Sequence, residues 1–180
     1  AMGMRVYFVT LTVKHGIGDD LQELLDKQSQ ALKRLSSGKH SIKNQLRSIY
    51  AATGEDCPEI HGYIRALEVT HGNENGFHPH FHVLMFLENP PSPEDSQKIL
   101  SSIWQTACER VGLPRPSEEH GCMVDNGSKA ASYVAKGSWG LDAEMTKGHL
   151  KRSKSKEGRT PTDFLSDYLL GDQQAGKLFQ

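Results

Sequence analysis

The sequence predicts an α+β fold, an antiparallel β-sheet with helices packed over it, on three observations. Segments rich in β-branched and aromatic residues, Arg5 to Val13, Gly62 to Gly72 and Phe77 to Leu87, read as strands. The turn HGNENG (residues 71–76) is all that separates the second and third of these, which makes them an antiparallel hairpin. Leucines at 21, 24, 25, 32 and 35 recur at helical spacing between the first two strands.

Each element has its own reason. In RVYFVTLTV, Val6, Phe8, Thr10 and Thr12 share one face of the first strand. Asp19 or Asp20 caps the long amphipathic helix that follows. Residues 36–59 are mixed, with a short basic helix expected near 41–52 before a Gly- and Pro-containing loop. Ser92 as N-cap, Pro93 at the first helical position and Gly112 just past the end bracket another helix. GCMVD (residues 121–125) reads as a short strand. NGSKAASYVAKG reads as a last helix, capped by Asn126 or Ser128 and stopped by Gly137.

The chain has 180 residues, 36% hydrophobic and 24% charged, enough for one domain with a real core. Residues 1–4 read as an expression scar and start, and residues 5–180 as a single domain. The net charge of −1 advertises no global field for nucleic acid, so local charge has to make that case. Three cysteines without C-x-x-C spacing fit a reducing cytoplasm. No apolar run approaches membrane-spanning length.

The chemistry concentrates in HPHFHVLMFL. His78, His80 and His82 alternate with Pro79, Phe81 and Val83, so one strand face carries imidazoles and the other carries core. Composition alone gives roughly half an occurrence of His-x-His but only ~0.02 of the triple, so the triple is informative. Neutral imidazole is the commonest metal ligand. If the hairpin is centred on Glu74, Thr70 faces His78 and Glu68 lies opposite His80 on the same side; a one-residue slip would turn the carboxylate away. The expected ligands are therefore Glu68, His80 and His82, with His78 as the rival third ligand. That donor set suits a borderline divalent ion such as Mn²⁺ or Mg²⁺ in use, with Zn²⁺, Co²⁺ or Ni²⁺ in affinity. Downstream, SYVAK puts Tyr133 and Lys136 on one helical face, where a cation can stabilise phenolate.

PHFHVL (residues 79–84) resembles the His-hydrophobic-His motif of the HUH endonucleases, and SYVAK resembles their Tyr-x-x-Lys helix. FVTLTV, ALEVTHG, HPHFHVLMFL and ASYVAKGSWG follow the order seen in rolling-circle replication initiators of small bacterial plasmids, from about Val6 to about Leu170. The resemblance implies a ferredoxin- or RRM-like core and a metal-assisted transesterase. In that scheme Tyr133 attacks a phosphodiester of single-stranded origin DNA, expected to be a hairpin, stays joined to the 5′ phosphate and frees a 3′-OH primer. Lys136 steadies phosphate or phenolate, and host helicase and polymerase are the implied partners in a bacterial cytoplasm. Members of the family continue past the position of Gln180, which implies a longer protein. Where related initiators carry a glutamate one turn before the tyrosine, this chain has Lys129; Glu144 is the nearest downstream carboxylate for termination.

Local charge does favour DNA. From Lys129 to Arg159 eight basic residues stand against three acids, a net +5 that makes Lys129, Lys147, Lys151 and Arg152 the expected DNA contacts. Three other readings compete: a relaxase or transposase of the same chemistry, a DNA-binding module without catalysis, and a two-His-one-carboxylate metal oxygenase. The oxygenase predicts no need for Tyr133.

Overall fold

The structure, a computed structural model, describes residues 3–127, 158, 159, 167 and 170. Strand β1 (Met4–Thr12) leads to helices α1 (Leu21–Ser36) and α2 (Ile42–Thr53), then to the hairpin of β2 (Glu59–Gly72) and β3 (Gly76–Glu88). Helix α3 (Pro93–Glu109), β4 (Cys122–Asp125) and β5 (Gly158–Arg159) complete the described elements. The sheet runs β4-β1-β3-β2-β5 and every neighbour is antiparallel. The α+β class expected from the sequence is the class observed.

The helices start where short polar side chains satisfy free amides. Asp20, Ser41 and Ser92 each accept a hydrogen bond from the amide three residues on, and Pro93 opens α3. Gly54, at φ +73°, closes α2 through its N–H to the Tyr50 carbonyl. One sheet face meets α1 and α3. Val9 and Leu11 of β1 and Val83 and Met85 of β3 pack there with Leu32 and Leu35 of α1 and Leu100 and Ile103 of α3. Each such fully buried aliphatic contributes about 1.5–3 kcal/mol, so this face anchors the sheet. Trp104, fully buried on α3, donates its indole N–H to the Thr12 carbonyl at 2.8 Å and so fixes the end of β1. The opposite face carries the histidines.

Two features differ from the sequence expectations. Strand β2 begins at Glu59, three residues before Gly62, because a bulge between Ile60 and Gly62 inserts one extra residue and lets the earlier segment pair with β3. At the end of the basic run, where the sequence reading places no strand, Gly158 and Arg159 pair with Gly72 and His71. The helix expected from Asn126 to Gly137 lies outside the described residues from 128 onward. No helix among the described residues is long and apolar enough to cross a membrane.

Candidate metal centre

Everything at this site follows from the register of one hairpin. Gly72 pairs with Gly76 across a three-residue loop centred on Glu74, and from there Thr70 faces His78, Glu68 faces His80 and Ala66 faces His82. Gly76 takes φ +70°, and a Cβ there would stand 3.0 Å from the Gly16 carbonyl oxygen. Only glycine lets the hairpin tip seat against the β1–α1 loop. Because β3 is the inner strand between β1 and β2, its ligands are fixed from both sides.

The three expected ligands converge. Glu68 Oε2 lies 3.1 Å from His80 Nε2 and 2.9 Å from His82 Nε2, and one donor atom from each residue falls within 4.8 Å of the others. All three side chains are partly buried, at 29%, 13% and 16% exposure. With no ion, imidazole N–H groups donate to the carboxylate; with an ion, the same Nε2 atoms offer lone pairs. Two imidazoles and a carboxylate at this spacing are a chemically apt donor set for a borderline divalent ion. The geometry therefore fits a metal.

The surroundings orient His82 more firmly than His80. Thr10 Oγ1 is 3.2 Å from His82 Nδ1, and an Nδ1–H donated to that hydroxyl leaves Nε2 with its lone pair. Phe8 stacks on the same ring, with centroids 5.0 Å apart at 18°. Thr10 pairs with His82 across the ladder, so both supports come from β1. His80 Nδ1, by contrast, is buried with no hydrogen-bond partner.

His78 stands beside this group rather than in it. Its Nδ1 contacts His15 Nε2, and His15 Nδ1 in turn donates to the Asn75 carbonyl at 3.1 Å. Burial first, then the neighbouring His15 and His80, lower the His78 pKa to about 4 against the opposing influence of Glu68. The ring is neutral at neutral pH. A second donor cluster, Glu59, His61 and Glu88, lies at the far end of the hairpin, where it is largely exposed around a 3.0 Å His61–Glu88 pair.

Tyr133, Lys136, Lys129, Lys147, Lys151, Arg152 and Glu144 all lie outside the described residues. Sequence reasoning does not single out Thr10 as a support or His15 as the partner of His78. The threonines of FVTLTV on the face opposite the core are the available signal for the first.

Comparison with known proteins gives the chain its family. A family model described as a replication protein (Rep_1) matches residues 1–107, a stretch that takes in Glu68, His80 and His82 and ends before Tyr133. A "Protein rep" of Lentilactobacillus hilgardii is 30% identical over 158 residues, covering 85% of this chain and 42% of that protein. Another from Streptomyces lividans is 28% identical over 175 residues, covering 74% of this chain and 38% of its own length. One from Streptococcus pneumoniae is 33% identical over 86 residues, covering 47% and 22%. This chain thus spans about two fifths of the first two relatives. No solved structure matches at a significant level. With more than half of its residues matched by the family model, the chain belongs to the Rep_1 replication proteins.

Proposed function

We propose that this chain is the nicking and joining domain of a rolling-circle replication initiator of a small bacterial plasmid, an HUH-type endonuclease acting on single-stranded origin DNA. The observation that carries the reading is the meeting of Glu68, His80 and His82 on the sheet face turned away from the helical core. A divalent ion held there, Mn²⁺ or Mg²⁺ in use, supplies Lewis-acid polarisation of a phosphate oxygen. Glu68 contributes the negative charge of the site, and His80 and His82 contribute neutral donors that keep the site from repelling DNA phosphate as a carboxylate cluster would.

The nucleophile in this reading is the Tyr133 hydroxyl. Free tyrosine, with a pKa near 10, is a poor nucleophile at neutral pH, and Lys136, three residues on in SYVAK, stabilises the phenolate. The Tyr133 oxygen forms a bond to phosphorus while the bond to the 3′ oxygen breaks, leaving a 5′-phosphotyrosine and a 3′-OH that primes synthesis. One phosphodiester replaces another, so the same site rejoins ends. Lys129, Lys147, Lys151 and Arg152 contact the DNA backbone, the substrate is an origin strand presented in a hairpin, and host helicase and polymerase act after the nick.

The test is a denaturing gel of the chain with a single-stranded origin oligonucleotide and Mn²⁺, followed by mass spectrometry of the shifted band. The expected result is a DNA adduct on Tyr133, lost in Tyr133→Phe. Efficient cleavage by Tyr133→Phe without an adduct overturns the tyrosine mechanism, and an adduct on another residue overturns the assignment of the nucleophile.

A further inference from the structure

The core face of the sheet holds a residue that packing does not account for. Gln28, in the middle of α1, is fully buried among apolar side chains. Its Nε2 donates to the Pro79 carbonyl at 3.3 Å, while its Oε1 has no hydrogen-bond partner. An unpaired buried acceptor costs about 1–3 kcal/mol; a methionine of similar size would remove Oε1 but leave the Pro79 carbonyl without its donor. What the glutamine provides that an apolar side chain cannot is a donor to that one carbonyl.

Pro79 explains the choice. It lies between His78 and His80, and it carries no N–H. The pairing of β1 with β3 ends at Thr12 and His80, so on that side Pro79 is one residue beyond the last strand partner. Gln28 supplies from a helix the donor that a longer β1 would have supplied. His80 needs such support more than His82 does. His82 is held at its ring by Thr10 and Phe8 of a neighbouring strand, whereas His80 Nδ1 has no partner and its ring meets Glu68 and its fellow histidines His78 and His82, so its aim depends more on its backbone.

We propose that Gln28 is a positioning residue for the metal centre: its amide fixes the β3 backbone at Pro79 and thereby aims His80 at the ion shared with Glu68 and His82. The inference rests on the reading of those three residues as ligands.

The test measures Mn²⁺ binding to the whole chain by calorimetry without DNA, alongside thermal unfolding of the metal-free chain. Gln28→Met keeps the volume and removes the donor. Its dissociation constant for Mn²⁺ is expected to rise about tenfold, as when other outer partners of metal ligands are removed, while the metal-free melting temperature stays near that of wild type, because one unpaired acceptor replaces another. If the melting temperature also falls, Gln28→Glu decides. A buried carboxyl donates to the Pro79 carbonyl only when protonated, so the ratio of its dissociation constant to that of wild type should be larger at pH 8 than at pH 6. An unchanged dissociation constant in Gln28→Met, or a pH-independent ratio in Gln28→Glu, overturns the inference. Absence of Mn²⁺ binding by wild type, or undiminished binding by His82→Ala, overturns instead the reading of the metal centre on which it rests.

Discussion

Replacing Glu68 with glutamine preserves the shape of the side chain and removes its charge, which isolates what the carboxylate does. In the metal-free chain the change weakens two hydrogen bonds, at 3.1 and 2.9 Å, to a group that is 29% exposed, so the direct effect on stability is modest. The effect on metal binding is large. Loss of outer partners costs 10–100-fold in affinity, and a direct anionic ligand belongs at the upper end or beyond, so we take about 100-fold. At Mn²⁺ one hundred times the wild-type dissociation constant, binding stabilises the native chain by about 2.7 kcal/mol. For a chain of this length each kcal/mol moves the melting temperature by about 3 °C, which makes the wild-type shift about 8 °C. In Glu68→Gln the same concentration only equals the dissociation constant, and the stabilisation falls to about 0.4 kcal/mol, or about 1 °C. Thermal unfolding with and without Mn²⁺ reads this directly. A Glu68→Gln chain that keeps the full shift refutes the carboxylate as a ligand, and loss of the shift in His78→Ala alongside it would assign the third position to His78.

Other outcomes follow from the same geometry. Thr10→Val keeps the β-branched shape and removes the hydroxyl 3.2 Å from His82 Nδ1, so calorimetry should show Mn²⁺ affinity reduced about tenfold or more with little change in melting temperature; unchanged affinity would separate Thr10 from the centre. Replacing Lys151, Arg152, Lys154 and Lys156 with glutamine should flatten the salt dependence of single-stranded DNA binding, by about 0.7 in the log–log slope for each phosphate these side chains neutralise; an identical slope would place the DNA on another surface. Burial pushes the thiols of Cys108 and Cys122 up to about 12, so at pH 8 both are protonated and shielded, and iodoacetamide should alkylate the native chain at the exposed Cys57 alone. Mass spectrometry showing Cys108 or Cys122 labelled as fast as Cys57 would contradict the packing around α3 and β4.

The register that brings Glu68 to His80 is legible in the sequence, because a short Gly- and Asn-containing turn and strict alternation of side chains leave few ways to close a hairpin. The helix caps are legible for the same reason: Asp20, Ser41 and Ser92 act on amides three residues away. What depends on distant neighbours is not. Ile60-His61-Gly62 gives no sign of a bulge until Glu59 is seen paired with Glu88. Gln28 does leave a trace: it falls on the apolar stripe of α1, four residues after Leu24 and four before Leu32, where a polar residue conflicts with its surroundings. Thr10 looks like any strand threonine until β1 is set beside β3.

The bulge in β2 divides the hairpin into two stretches that count residues differently. From the loop to Gly62 every pair keeps the phase that faces Glu68 to His80, and at Ile60 and Glu59 the phase has shifted by one. A single inserted or deleted residue between Glu68 and the loop would swing Glu68 to the core side, whereas one more or one fewer at the start of β2 would meet a ladder that has already changed step. Length variation among relatives, or a tag grafted into this protein, should therefore be tolerated ahead of Gly62 and punished between Glu68 and the loop, with changes of two residues penalised less than changes of one.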